Sequence, residues 1–356
     1  MEKEHIEGAG PVRLTKYAAK GGCACKIGPH ILAEALAGFK GISDPRVLVD
    51  MEGSDDAGIF QISQDFALVQ TMDFFTPMVD DPYTFGQIAA ANSLSDVYAM
   101  GGQPLTAMNI VAFPVPLVES GVLRQVLEGA KSVLAQAGVA LMGGHSVENE
   151  VPLFGLSVTG QVSPKALWKN AGAQAGDVLV LTKALGTGVM TTALKGGLFE
   201  EGGREAIASM CTLNQKASQV ARTFTVHACT DVTGFSLMGH SLEMAKGSQV
   251  SLHMESQALP LFEDTLEAAQ MGLVPAATYG NRKALLTNDG AIHLDDKLAP
   301  VWSDIAFDPQ TSGGLLLAVP GDEADALVEA LKAEGLDKAS IIGRVEDYDG
   351  HYVYLA

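Results

Sequence analysis

The sequence predicts a mixed α+β protein of two domains, and three observations carry that prediction. Strand-period and helix-period segments alternate irregularly along 356 residues, a length that suits about two domains of roughly 150 residues each. A polar, Gly/Ala-rich break from Pro164 to Gly176 separates two apolar stretches and marks the domain boundary. Ahead of both, residues 1 to 45 hold many glycines and little apolar periodicity, which predicts a flexible glycine-rich N-terminal arm. The resulting division is an arm over 1–45, an N-terminal domain over 46–165 and a C-terminal α+β domain over 170–356.

The elements follow in order. Ile59, Phe60 and Ile62, then Phe66 to Val69, read as two strands, with further strands at Ala107 to Phe113 and Phe154 to Val162. Between them, Phe85 to Met100 is a helix stopped by Gly101-Gly102, and apolar residues from Val122 to Leu134 recur at helical spacing until Gly138. The second domain opens on the strand Asp177 to Thr182 and continues with helices near Val189–Leu194, Arg204–Val226, Phe235–Ala245, Leu261–Met271 and Glu323–Glu334. Strands are expected near Ser251–Met254, Gly314–Val319 and Ser340–Val345. Ser95-Asp96-Val97 and Thr230-Asp231-Val232 form a faint echo between the two halves.

Lys and Arg number 23 against 42 Asp and Glu, a net charge of −19, which argues against nucleic acid and anionic membrane as partners. A polyanionic substrate would need cations supplied locally, and divalent metal held by some of those carboxylates is the economical source. The chain shows neither a secretory n-region at its start nor an apolar run of membrane-spanning length, so a cytoplasmic protein is expected. Four cysteines in such a chain do not make a disulfide framework, and Cys23 and Cys25, one residue apart, suit thiol chemistry better.

Gly22-Cys23-Ala24-Cys25-Lys26 is the strongest local signal: an ammonium three residues from Cys23 is expected to lower the thiol pKa. A second signal is a set of aspartates in small or apolar company, namely Asp55 and Asp56, Asp73, Asp96 and Asp231. Asn92 and Asp96, four apart, place a polar strip on an otherwise apolar helix. Singly each reads as a cap or turn residue; together they resemble a hard-cation site. The third signal is glycine at the expected ends of elements, in Met142-Gly143-Gly144-His145-Ser146, Gly186-Thr187-Gly188 and Asp308 to Gly314, where free N–H groups could cradle phosphate. Neither the P-loop nor the dinucleotide fingerprint is present. A thiol-based redox or metal-delivery protein with structural aspartates is the reading from another class.

Taken in order, Gly22–Lys26, Ser54-Asp55-Asp56-Ala57, Thr71–Phe75, Asn92–Asp96 through Gly102, Gly143–Ser146, Thr230–Phe235 and Asp308–Leu315 resemble the motifs of selenophosphate synthetase (selenide, water dikinase) over nearly the whole chain. The aspartates alone would fit the wider aminoimidazole ribonucleotide synthetase-like superfamily, including its small-metabolite kinases and maturation dehydratases. The resemblance implies that superfamily's two-domain fold, with the N-terminal domain contributing to a β-barrel shared in a homodimer. It implies an ATP-dependent synthesis of selenophosphate from selenide and water, with AMP and phosphate as the other products, feeding selenocysteine and selenouridine synthesis. Selenide would arrive free or on a carrier protein. By the same carry-over, Asp56, Asp96 and Asp231 hold Mg²⁺, Cys23 and Lys26 are catalytic, and ATP is contacted by Lys26, Gly53, Ser54, Asp55, Asp73, Asp96, Gly144, His145 and Ser146.

Overall fold

The computed structural model describes residues 12–39, 41–50, 55–287 and 290–356. Two sheets organise them. The first contains β1 (Val47–Val49), β2 (Gly58–Gln61), β3 (Ala67–Phe75), β4 (Gln103–Phe113), β5 (Ala140–Glu148) and β6 (Leu153–Val162), in the order β1-β2-β3-β6-β4-β5. Its neighbours run antiparallel except β4 and β5, whose parallel pairing is bridged by a crossover through α3 (Val115–Glu119) and α4 (Val122–Ala137). The short α1 (Pro29–Leu36) precedes this sheet, and α2 (Pro82–Ala99) lies across it.

The second sheet contains β7 (Asp177–Leu181), β8 (Ala228–Asp231), β9 (Val250–Met254), β10 (Ile292–Leu294), β11 (Leu315–Pro320), β12 (Ser340–Asp347) and β13 (Val353–Leu355), ordered β10-β13-β9-β12-β7-β11-β8. It is mixed: β10, β13 and β9 run parallel to one another and the remaining pairs are antiparallel. Its helices are α5 (Thr187–Lys195), α6 (Glu200–Cys211), α7 (Gln215–Ala221), α8 (Ser236–Ser248), α9 (Thr265–Gln270), α10 (Ala276–Leu286), α11 (Pro300–Ala306) and α12 (Ala324–Ala333). Central strands are covered on both faces: Leu179, Leu181, Leu316 and Ala318 join the core under α5 and α8, while Val180, Leu315, Leu317 and Val319 join a second core under α7 and α12. Two-sided burial explains why these strands read as unbroken apolar runs.

The element that joins the halves is α2. Fifteen of its 18 residues are buried, between β3 and β6 on one side, α4 on another, and α6, α7 and β8 of the second domain on the rest. Such a helix has no solvent face, so polar residues on it either find partners or mark a site. Close approach to α4 depends on glycine: a Cβ at Gly86 would overlap the Val126 carbonyl oxygen, and one at Gly129 the Tyr83 carbonyl oxygen.

Three expectations are corrected. Gly143-Gly144-His145-Ser146 is no turn but the middle of β5, where Ala107 faces Leu141 and Met108 faces Gly143, so that Met142 is an extra, bulged residue. Glycine is required there because a Cβ at Gly144 would strike the Asn109 carbonyl oxygen. The single helix expected over Arg204–Val226 is two, α6 and α7, broken where Asn214 turns its side chain inward to donate to Ser95 Oγ and to the Gly313 carbonyl, both at 2.8 Å. The echo between halves is chemical only, since Asp96 sits inside α2 and Asp231 ends β8.

The described part of the expected arm is docked. Leu14 is buried, the Thr15 hydroxyl donates to Asp80 at 2.6 Å, Gly22 N–H donates to the Thr76 carbonyl at 2.8 Å, and Cys23 N–H donates to Thr311 Oγ1 at 3.1 Å. Gly22 adopts φ +61°, and a Cβ on it would overlap Thr311 Oγ1.

Gly86→Ala is expected to force α2 and α4 apart, costing about 2–3 kcal/mol, or roughly 5–10 °C in Tm, measured by thermal denaturation monitored by circular dichroism.

Candidate active site

The site lies at the junction of the two sheets, and five separate stretches build it. Alternation along β3 turns Gln70, Met72 and Phe74 outward and Thr71 and Asp73 inward toward α2. The polar strip of α2 meets them: Asn92 Nδ2 donates to Asp73 Oδ2 at 2.6 Å, Ser93 Oγ donates to the Asp73 carbonyl at 3.0 Å, and the Thr71 hydroxyl donates to Asp96. From the second domain, β8 delivers Asp231 at its C-terminal end, and Thr230 Oγ1 donates to Asp56 Oδ1 at 2.8 Å. The arm closes the other side, with Cys23 Sγ donating to Asn92 Oδ1 at 3.3 Å and Lys26 Nζ 3.3 Å from Asp73 Oδ1. The same Asn92 oxygen accepts the Ser312 N–H at 2.9 Å, so one side chain holds thiol, carboxylate and the loop before β11.

Electrostatics follows from this crowding. Burial, reinforced by Asp231 and Asp96, raises the Asp56 pKa well above the carboxylate range. Asp96 is raised by burial and then by Asp231 and Asp73, against a smaller opposing pull from Lys26. At Asp231 burial again dominates, offset in part by the Ser95 hydrogen bond. For Lys26, burial works against the ammonium, yet Asp73, Cys23, Asp96 and Asp231 together outweigh it and the lysine stays charged. Cys23 corrects the sequence expectation: burial pushes its pKa up, and the lowering by Lys26 is too small to reverse it. In the docked arm the sulfur is therefore a protected thiol, 1 % exposed. A cavity of about 200 Å³ lined by Lys20, Cys23, Lys26, Gly234, Phe235 and Asn281 adjoins it.

The donor set fits a hard divalent cation. Asp56 Oδ2 and Asp231 Oδ2 are buried and lack hydrogen-bond partners, a costly state for carboxylate oxygens unless a cation shares them. Among the described residues, no three of these carboxylates bring ligand oxygens within 4.8 Å of one another. A cation such as Mg²⁺ needs no closed protein cage, since it takes one or two carboxylates and completes its shell with phosphate oxygens and water.

Other expected site residues lie elsewhere. Asp55 Oδ1 accepts the Asn170 N–H at 2.7 Å and so ties the interdomain linker. Gly144, His145 and Ser146 stand on exposed β5, three strands from β3, about 14 Å away at the usual strand spacing. Gly53 and Ser54 lie outside the described residues. Gly186-Thr187-Gly188 and Asp308–Gly314 serve each other rather than a phosphate: Gln310 Oε1 accepts the Gly186 and Thr187 N–H groups at 3.0 and 3.1 Å, and Asp308 Oδ2 accepts that of Gly188 at 2.9 Å. Burial lifts Asp308 to about 7 despite these bonds.

Sequence reasoning missed Asn214, and it placed Thr311 and Lys183 only within glycine-bearing segments, with no role of their own. Lys183, lowered to about 7 by burial, donates to the carbonyls of Thr212 at 2.7 Å and Ser312 at 2.9 Å, pinning both loops against the site. Their roles have no local signal, because their partners lie roughly 30 to 290 positions away in the chain.

Because Asp56, Asp96 and Asp231 titrate above their unfolded values, the folded chain binds more protons than the unfolded chain above about pH 4, and stability falls as pH rises through that window. Asp231→Asn is therefore expected to raise Tm near neutral pH in chelator and to flatten its pH dependence. Melts from about pH 5 to 8 in chelator measure both effects.

Comparison with known proteins identifies the fold and the family. Residues 54–162 match the AIR synthase related protein N-terminal domain, and residues 174–356 match the corresponding C-terminal domain. The structure of AaThiL complexed with AMPPCP and TMP superposes with a TM-score of 0.67 at 19 % identity, covering 92 % of this chain and 93 % of that one, which establishes the shared fold. Selenide, water dikinase of Pelobacter propionicus is 48 % identical, spanning 94 % of this chain and 95 % of its own. The enzyme of the same name from Clostridioides difficile is 45 % identical over 96 % of this chain and 97 % of its own. With nearly half of its residues shared along almost its entire length, the chain belongs to the selenide, water dikinase family.

Proposed function

We infer that the chain catalyses the synthesis of selenophosphate from ATP, selenide and water, with AMP and phosphate as the other products. The observation that carries this reading is the docking of a thiol–lysine arm, Cys23 and Lys26, onto buried carboxylates at the domain junction, in a chain closely similar to enzymes of that name. Atom balance requires two phosphoanhydride bonds to break: one phosphoryl group leaves ATP as its phosphorus–selenium bond forms, and the other passes to water. Neither transfer tolerates uncompensated phosphate charge beside buried carboxylates.

Each residue then has a task. Mg²⁺ held by Asp56, Asp96 and Asp231 would neutralise the phosphates and polarise the phosphorus under attack. Lys26, fixed by Asp73, offers a compact point charge to the same oxygens. Asp73 and Asp96 order the phosphate end of ATP. Gly144, His145 and Ser146, on the exposed strand β5, serve its nucleoside end. Cys23 meets selenium when the arm lifts; while docked, the arm excludes water and shields the thiol.

We also propose a homodimer built on the first sheet. Its face away from α2 exposes Met72, Phe74 and Met108, and on β5 Val147 shares that face, an apolar surface that a second copy would cover. No helix among the described residues is long and apolar enough to cross a membrane, and the proposed setting is the cytoplasm.

Phosphorus NMR of the wild type with Mg²⁺, ATP and selenide is expected to show selenophosphate, AMP and phosphate in equal amounts. Cys23→Ser should form no selenophosphate while retaining its fold, because a hydroxyl at its ordinary pKa does not replace a thiol-derived nucleophile. ATP converted only to ADP, or consumed equally without selenide, would sink the assignment. Met72→Glu should shift the sedimentation coefficient from dimer to monomer; an unchanged value would move the interface elsewhere.

A further inference from the structure

Three of the chain's eight histidines, His253, His293 and His351, gather around Tyr354 on the outer face of the second sheet, where β9 lies four strands from the β8 that carries Asp231. Register explains why. His253 on β9 pairs with Tyr354 on β13 and with Arg344 on β12, and Tyr354 pairs with His293 on β10, so one row of side chains crosses four strands on one face. The alternate residues, Leu252, Val345, Val353 and Ile292, face the core. Glu346 stands two residues beyond Arg344 and so on the same face, diagonal to His253. Asp349 follows in the turn to β13.

The His253 ring stacks on Tyr354 with centroids 4.2 Å apart and planes 7° from parallel, which fixes the direction of its Nε2. That nitrogen is buried and has no hydrogen-bond partner. Glu346 Oε2 lies 3.5 Å from it and Asp349 Oδ2 3.6 Å, both turned toward it but beyond good hydrogen-bond length, and the three atoms all lie within 4.8 Å of one another. Each carboxylate keeps its other oxygen anchored. Glu346 Oε1 accepts from Arg344 Nε at 2.6 Å, while Asp349 Oδ1 accepts from Tyr354 OH at 2.7 Å and Ser251 Oγ at 3.0 Å. One imidazole nitrogen and two oriented carboxylate oxygens are thus aimed at a common point, with outer partners holding each carboxylate in place.

We propose that His253, Glu346 and Asp349 form a second metal site, selective for a zinc-class divalent ion and separate from the Mg²⁺ chemistry of the junction. Tetrahedral Zn²⁺ bound at about 2.0–2.2 Å separates neighbouring donors by about 3.3–3.6 Å, which matches the two distances from Nε2. An imidazole donor favours zinc over magnesium, which prefers an all-oxygen shell. Three protein ligands leave a fourth position to water, and the ion would clamp β9 to the β12–β13 turn at the sheet's outer face.

The test is Zn²⁺ binding to the full chain by isothermal titration calorimetry, with Mg²⁺ in excess to occupy the junction carboxylates, repeated with Co²⁺ to read its ligand-field absorption. His253→Ala is expected to lose one equivalent of Zn²⁺ and the corresponding Co²⁺ bands while keeping ATP turnover. Tyr354→Phe, which keeps the stacked ring and removes the hydroxyl on Asp349, should weaken that equivalent about 10-fold or more. Nitrogen-15 NMR of the His253 ring gives an independent reading: a metal-induced shift at Nε2 supports the site. The same stoichiometry in wild type and His253→Ala overturns it. So does a His253 that titrates as an imidazolium and ignores added Zn²⁺, since the cluster would then be an ion pair.

Discussion

Like charge packed out of water at a domain junction is the constraint on which the rest of this structure depends. Asp56, Asp73, Asp96 and Asp231 come from a loop, a strand, a helix and a second strand, and Lys26 is the ammonium set among them. Burial disfavours the charged form of Asp56, Asp96 and Asp231, and neighbouring carboxylates add to it. Such an arrangement persists only where surrounding elements are held rigidly, which accounts for the nearly complete burial of α2 and its glycine-mediated contact with α4. Stability withheld at the site is regained in the cores on either side.

Rigidity reaches the site from the second domain through one short turn. Thr311, Ser312 and Gly313 bond in succession to Cys23 N–H, to Asn92 Oδ1 and to Asn214 Nδ2, and Lys183 holds the Ser312 carbonyl from below. Asp308 and Gln310, just before it, satisfy the N-terminal N–H groups of α5. The glycines of this segment therefore permit close packing between loops. A Cβ at Gly313 would overlap the Val232 carbonyl oxygen next to Asp231, so the turn is also fitted against the strand end that carries the acid.

Thiol reactivity here depends on burial as well as on the neighbouring charge. In the docked arrangement the desolvation of Cys23 outweighs its neighbouring ammonium, so proximity of lysine in sequence does not by itself make a thiolate. The distinction matters because oxidation follows thiolate character and exposure, and a buried neutral thiol has neither.

By itself the sequence determined the two-domain α+β organisation, the long helix stopped at Gly101-Gly102, the apolar strands of the second sheet and the identity of the chemical groups, because periodicity and residue type are local properties. Only tertiary structure decided which groups meet. Asn92 is one polar residue on an apolar helix until β3, the arm and the loop before β11 converge on it. Edge strand β5 read as a turn because two glycines mark turns far more often than a bulged strand, and the break between α6 and α7 depends on an Asn214 partner 119 residues away. The sign of the Cys23 shift was likewise beyond sequence, since it is set by how much water the fold removes, and desolvation is a property of the packed volume rather than of any neighbour in the chain.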